Sequence, residues 1–224
     1  MKSIESKVPG WRWAAMGLVV AVTATVAAMS GGVATASVAA RPPGLKVFVG
    51  YADSFHPRAG RSHPPLWRGS PKVVFRGCNY FSPSRCPKRP HRYDAGALRL
   101  DINTAHAITV TNASVTIGSC TFRPWPGLHV TLPGGKKLIL TQTGGKPPCH
   151  TTTSSDNFYT SETHKNSAKC TKNDRKIAVF HVTVDGRALS YSDTGQVLNT
   201  GGKDPGDRRC GFHSEVRAWA RIGS

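Results

Sequence analysis

Between Asp94 and Thr143, apolar and polar positions alternate in short runs that Gly, Pro and Asn interrupt. A period of two marks half-buried strands, and almost no helical period occurs in this stretch. Leu98, Leu100 and Ile102 alternate with Arg99 and Asp101, which predicts a strand with one buried face. Ile108 and Val110 keep the even phase, whereas Val115 and Ile117 fall on the odd one. An uncompensated change of phase would turn the apolar set to the wrong face, so a turn or bulge is expected at Asn112-Ala113. Leu128, Val130 and Leu132 form a further face, and Leu138 and Leu140 another. If these two strands pair directly, an odd-length loop around Gly134 and Gly135 sets Leu132 opposite Leu138.

More strands are expected at Leu45 to Tyr51, Val73 to Phe75, Ile177 to Val184, Arg187 to Tyr191, Gln196 to Leu198 and Val216 to Ile222. Asp185-Gly186 is a two-residue hairpin signal that places Val182 opposite Leu189 and Phe180 opposite Tyr191. Trp125 stands between Pro124 and Pro126, either as an exposed stacking platform or as a plug at one end of the core, where large aromatics supply buried area. The polar stretches from Ala52 to Pro71 and from Gly144 to Asp174 are too long for plain connectors. The pattern predicts an all-β fold, a β-sandwich with long loops, as a single domain over 41–224.

Residues 1–40 have the form of a secretory signal peptide. Lys2, Lys7 and Arg12 precede the uncharged run from Ala14 to Met29, and Ala34-Thr35-Ala36 or Val38-Ala39-Ala40 supplies a small-residue cleavage site. The run is shorter than the roughly 20 residues of a bilayer span. A signal-peptide helix removed on export is expected, leaving a secreted or extracytoplasmic protein without a membrane segment. The alternative is tethering to the membrane through an uncleaved N-terminal helix. Export agrees with six cysteines, Cys78, Cys86, Cys120, Cys149, Cys170 and Cys210, all beyond the signal. In an oxidising compartment an even set reads as a disulfide framework that pins the loops. Many connectivities satisfy six cysteines; a local Cys78–Cys86 loop is one expectation, with Cys120–Cys149 and Cys170–Cys210 following from chain order.

Charge changes the picture most. The chain carries a formal +18, and Lys2, Lys7 and Arg12 against Glu5 leave +16 to the part after residue 40. Such a field draws anionic polymers, whether cell-wall glycan or nucleic acid, without sequence specificity. The densest candidate is the stretch from Gly77 to Tyr93, where Arg85, Lys88, Arg89 and Arg92 interleave with Tyr80, Phe81 and Tyr93. Rings and cations together are the means by which single strands and glycans are held; the same residues also make an ordinary exposed loop. Three Gly-Gly-Lys turns, at 134–136, 144–146 and 201–203, lack the spacing of a phosphate-binding loop.

Catalytic chemistry is not written in the chain. It has no G-x-S-x-G elbow and no H-E-x-x-H helix. Only Glu162 and Glu215 lie beyond the signal as glutamates, and a glycosidase reading needs the fold to join them across a bond. The histidines read as loop residues. Aspartates at turns, among them Asp156, Asp174, Asp193, Asp204 and Asp207, lack the dense alternation of a calcium loop. No cofactor, no metal and no enzyme activity is expected; the alternative is a hydrolase acting on an envelope polysaccharide.

The phrases VFVGYADS, DAGALRLDI, SVTIGSCTF, PWPGLHVTLPGGKKLILTQTGG, SSDNFYTSE and YSDTGQVLNTGG resemble a family of secreted bacterial proteins of unassigned function, over about Val47 to Gly202. The order of elements is also similar to the lamin-tail type of immunoglobulin-like β-sandwich: a strand ending in Asn, a wide hairpin, a Pro-Gly turn and an apolar strand. The basic loop between Cys78 and Cys86 and the Thr-rich segment depart from that layout. The resemblance implies an immunoglobulin-like fold and a surface or binding module; with no catalytic constellation in the chain, a monomeric, non-catalytic binding or cell-envelope module is expected.

Overall fold

The computed structural model describes residues 42–54, 62–78, 93–141, 143, 158, 175–199 and 216–222, all within the unit Val38–Ser224. Among these residues there is no helix. Ten strands occur: β1 Leu45–Asp53, β2 Val73–Arg76, β3 Asp94–Ile102, β4 Ile108–Ile117, β5 Cys120–Phe122, β6 Val130–Leu132, β7 Lys137–Thr141, β8 Ala178–Val184, β9 Arg187–Ser192 and β10 Arg217–Ile222. The signal-peptide stretch 1–40 lies outside the described residues.

Two sheets form. The first runs β10-β1-β3-β7-β2, with β2 parallel to β7 and every other pair antiparallel. The second runs β5-β4-β8-β9. β6 pairs with the start of β4 and β5 with its end, both on the side of β4 opposite to β8. Their inner faces share one core: Val47, Val49, Leu98, Leu100, Leu138 and Leu140 from the first sheet meet Val115, Ile117, Phe180, Val182 and Tyr191 from the second. This is the two-layer arrangement of a β-sandwich, and the alternation of side chains along each strand produces it.

The local signals hold. β8 and β9 meet as Val182↔Leu189 and Phe180↔Tyr191, and Asp185 and Gly186 take the positive φ values, 47° and 75°, that such a two-residue turn requires. The change of phase in β4 is absorbed just before the expected Asn112-Ala113, where its pairing with β8 shifts between Val110 and Asn112.

Three expectations are corrected. β6 and β7 do not pair: β6 belongs to the second sheet and β7 to the first, so Leu132 and Leu138 face a common core from opposite layers. The Pro133–Lys136 segment is an arch between sheets, held by Gly135 N–H donating to Ile102 O and Ile102 N–H donating to Lys136 O. Gly134 is needed there, since a Cβ would stand 2.1 Å from the Thr104 carbonyl oxygen. Gln196 to Leu198 is a turn, because the Asp193 carboxylate accepts from the Val197 and Leu198 amides and curls the chain. β3 is buried on both faces, with Arg99 only 8% and Asp101 only 5% exposed. Its outer face lies under Trp67, Tyr93, Phe75 and Trp219, which form a second apolar cluster with Ile139. Gly50 belongs to this cover, since a Cβ there would meet Trp219 Cε3 at 2.8 Å.

Candidate binding cleft

Between β5 and β6 the chain leaves the edge of the second sheet through Arg123–His129 and then returns to it. Trp125-Pro126-Gly127-Leu128 has the sequence of a type II turn, with Pro second and Gly third. Gly127 sits at φ 68°, and Leu128 N–H donates to Trp125 O at 3.3 Å. The turn drives the indole inward. Trp125 Nε1 donates to Thr141 O at 2.7 Å, and its ring meets Phe158 edge-on at 5.4 Å. At 6% exposure Trp125 is the core plug, not an open stacking platform.

This excursion forms one wall of a cleft of about 490 Å³. The other wall is Arg76 at the end of β2 with Gly77 and Cys78 after it, and Thr143 adds to the lining. Pro124, Trp125, Pro126, Leu128 and Val130 give the cleft an apolar body. Two exposed polar side chains also line it, Arg76 and His129, and no carboxylate does among the described residues. The Arg76 guanidinium reaches the Phe75 carbonyl at 3.1 Å, which holds it at the β2 end of the cleft.

The wider electrostatics favour anions. Five carboxylates occur among the described residues, and four are buried: Asp53, Asp94, Asp101 and Asp193. Asp94 Oδ1 accepts from the Tyr51 hydroxyl at 2.7 Å and Asp101 pairs with Arg99 and Lys137. The fifth, Asp185, accepts from the Thr109 amide at 2.7 Å. By contrast Lys46, Lys72, Arg76, Arg123, Arg217 and Arg221 are exposed, and no carboxylate among the described residues pairs with them.

Burial moves two titrations. The Asp193 carboxyl is raised above the ordinary carboxylate range by desolvation, against the lowering effect of the Leu198 and Val197 amides. The Tyr93 phenol is likewise raised by burial, which the Arg68 guanidinium opposes. Asp53 stands directly across from Asp94 in the β1–β3 ladder, but both are buried in the sheet and do not line the cleft.

The expected anion-binding residues Arg85, Lys88, Arg89 and Arg92 lie outside the described residues, as do Glu162, Glu215, Cys86, Cys149, Cys170 and Cys210. Cys78 is buried beside the cleft and Cys120 is half-buried; neither is a free thiol, and no disulfide joins the two. The histidines are not all loop residues. His181 lies on β8, where Nδ1 meets Ser190 Oγ at 2.9 Å and Nε2 meets Thr116 Oγ1 at 3.2 Å, a polar ladder across the outer face of the second sheet. Arg76 and His129 escaped the sequence reading because nothing local distinguishes them from ordinary solvated side chains; only the fold brings them to one cleft. No group of three or more potential metal ligands forms among the described residues. No family model, curated protein or solved structure matches this chain.

Proposed function

We propose that this chain is an exported, non-catalytic binding or cell-envelope module that holds anionic polymers, such as cell-wall glycan or nucleic acid, through its surface charge. The observation that carries the reading is the partition of charge. Described carboxylates are folded inward or used by the backbone, while six exposed cations have no carboxylate partner among the described residues. With +16 beyond residue 40, the surface field attracts polyanions over the range of a Debye length.

Several parts of the reading rest on sequence. The signal-like stretch 1–40 supports secretion. The two-sheet layout supports the immunoglobulin-like, lamin-tail-type arrangement that the sequence resembles, a fold which by itself fixes no function. Cys78 and Cys120, neither of them a free thiol, support a three-bridge framework for the six cysteines.

The test is retention of the secreted protein on a long polyanion at increasing salt. A logarithmic fall of affinity with salt is expected, as phosphate or carboxylate contacts release counterions. Equal retention on a neutral glycan, or indifference to salt, defeats the proposal.

A further inference from the structure

We infer that the cleft between β2 and the Arg123–His129 excursion is a separate site for a small amphiphilic carboxylate, an apolar body with one anionic head. The volume of about 490 Å³ lies within the range of small-molecule pockets. The lining fixes the chemistry. Five apolar side chains, Pro124, Trp125, Pro126, Leu128 and Val130, form the body of the cleft. A long polyanion has no use for such a surface, because its charged backbone would lose water there without a partner. Nucleobases are poorly served too: they need open ring faces for stacking, and Trp125 is almost wholly buried.

Arg76 and His129 are the polar side chains that suit an anionic head. Both are exposed, and among the described residues no Asp or Glu lines the cleft to compete for them. A guanidinium fork accommodates a carboxylate with two parallel hydrogen bonds. The apolar wall is preorganised, since Trp125 is tied to Thr141 O and wedged against Phe158 while Pro126 and Gly127 fix the turn. A rigid wall of this kind lowers the ordering cost of binding. The inference is independent of polyanion binding, which relies on the exposed cations around the whole surface.

The experiment is calorimetric titration of the full secreted chain with decanoate below its micelle concentration, alongside decanol and acetate. Decanoate is expected to bind, decanol more weakly and acetate not measurably. Arg76→Gln is expected to weaken decanoate about tenfold, the loss of one charge-assisted pair, and to leave decanol unchanged. His129→Glu, which sets a negative charge at the cleft, is expected to weaken decanoate as well. Both positions are exposed, so folding is retained, and Lys46→Gln on β1 serves as the distant control. Absence of decanoate binding at millimolar concentration, equal binding of decanol, or decanoate binding that ignores Arg76→Gln overturns the inference. Polyanion retention measured on the same variants reports on the surface-charge reading separately, because either property can be lost while the other persists.

Discussion

The indole Nε1 of Trp125 donates to the carbonyl oxygen of Thr141 at 2.7 Å, joining the edge excursion of one sheet to the end of β7 in the other. This single bond fixes the wall of the cleft and closes one end of the core. Trp125→Phe keeps a ring against Phe158 but leaves a buried carbonyl without its indole donor. A loss of about 1–3 kcal/mol is expected in urea unfolding. A variant as stable as the parent shows that the bond does not hold the two layers together.

Trp219 lies over Gly50 so closely that a methyl group on Gly50 would stand 2.8 Å from Cε3. Gly50→Ala is therefore expected to lift the indole and to destabilise by about 1–3 kcal/mol, the usual cost of overpacking. The displacement also loosens the stack of Trp219 on Trp67, whose centroids are 5.9 Å apart. In a Gly50→Ala/Trp219→Ala double variant the alanine at 50 no longer clashes, so the two effects are expected to be strongly non-additive. Additive costs in the double-mutant cycle count against a direct contact.

The parts of this fold that were legible in the sequence are those fixed over short distances. Asp185-Gly186 determines its own hairpin because a two-residue turn leaves no freedom of register. The bulge in β4 was legible because the apolar phase changes within a single strand. The separation of β6 from β7 was not, since which sheet each strand joins is decided by long-range partners, β4 for one and β3 and β2 for the other. Arg99 and Asp101 read as a solvent face because the residues that meet them, Trp219 on Arg99 and Lys137 on Asp101, are remote in the chain. Val197 and Leu198 look like a strand until Asp193 is seen accepting from both of their amides. Arg76 and His129 of the cleft follow the same logic: they are remote in the chain, and only the fold brings them to one lining.

Asp193 gives a signed pH prediction. Its folded carboxyl titrates above 3.8 because burial disfavours the charged form. As pH rises past 3.8 the unfolded chain loses this proton first, so the contribution of Asp193 is greatest at low pH. It declines until the folded group has also ionised. Asp193→Asn removes the titration while retaining one acceptor oxygen. The stability of the parent relative to Asp193→Asn is expected to fall as pH rises from acid toward neutral, measured by urea unfolding of both proteins. A difference that is constant with pH, or that grows with it, contradicts the assignment.

If the six cysteines form three bridges, the denatured, unreduced protein titrates no thiol, and reduction lowers stability by about 2–5 kcal/mol for each bridge lost. Thiol labelling before and after reduction checks this directly. Cys78 matters most for the cleft, since it lines the wall beside Arg76. Cleavage at Cys78 is expected to weaken decanoate as well as folding stability, whereas loss of the Cys120 bridge should reach stability alone. Six reactive thiols in the denatured, unreduced protein overturn the framework.

Asp101 is a buried carboxylate of the first sheet that meets two cations, Arg99 and Lys137. Arg99 lies over Phe48, with Cζ at 4.1 Å, and over Trp219 at 4.9 Å. Its Nε comes to 2.9 Å from Asp101 Oδ1, but the approach is too bent for a hydrogen bond; the bond runs from Nη2 to Oδ2 at 3.3 Å. Lys137 Nζ also donates to Oδ2. Asp101→Asn leaves a buried guanidinium without its counter-charge, and a cost of about 3–5 kcal/mol is expected. Arg99→Met is expected to cost much less. An unbranched apolar chain fits the slot between the two rings, and Asp101 keeps Lys137, whose side chain is 19% exposed. The sharper test is the double variant. If the damage in Asp101→Asn comes from the stranded Arg99, then Asp101→Asn/Arg99→Met is more stable than Asp101→Asn alone, because the group that suffered is gone. If the double variant is instead less stable by the full cost of Arg99→Met, the two side chains act independently. The stacking on Phe48 and Trp219, rather than the ion pair, then accounts for the burial of Arg99.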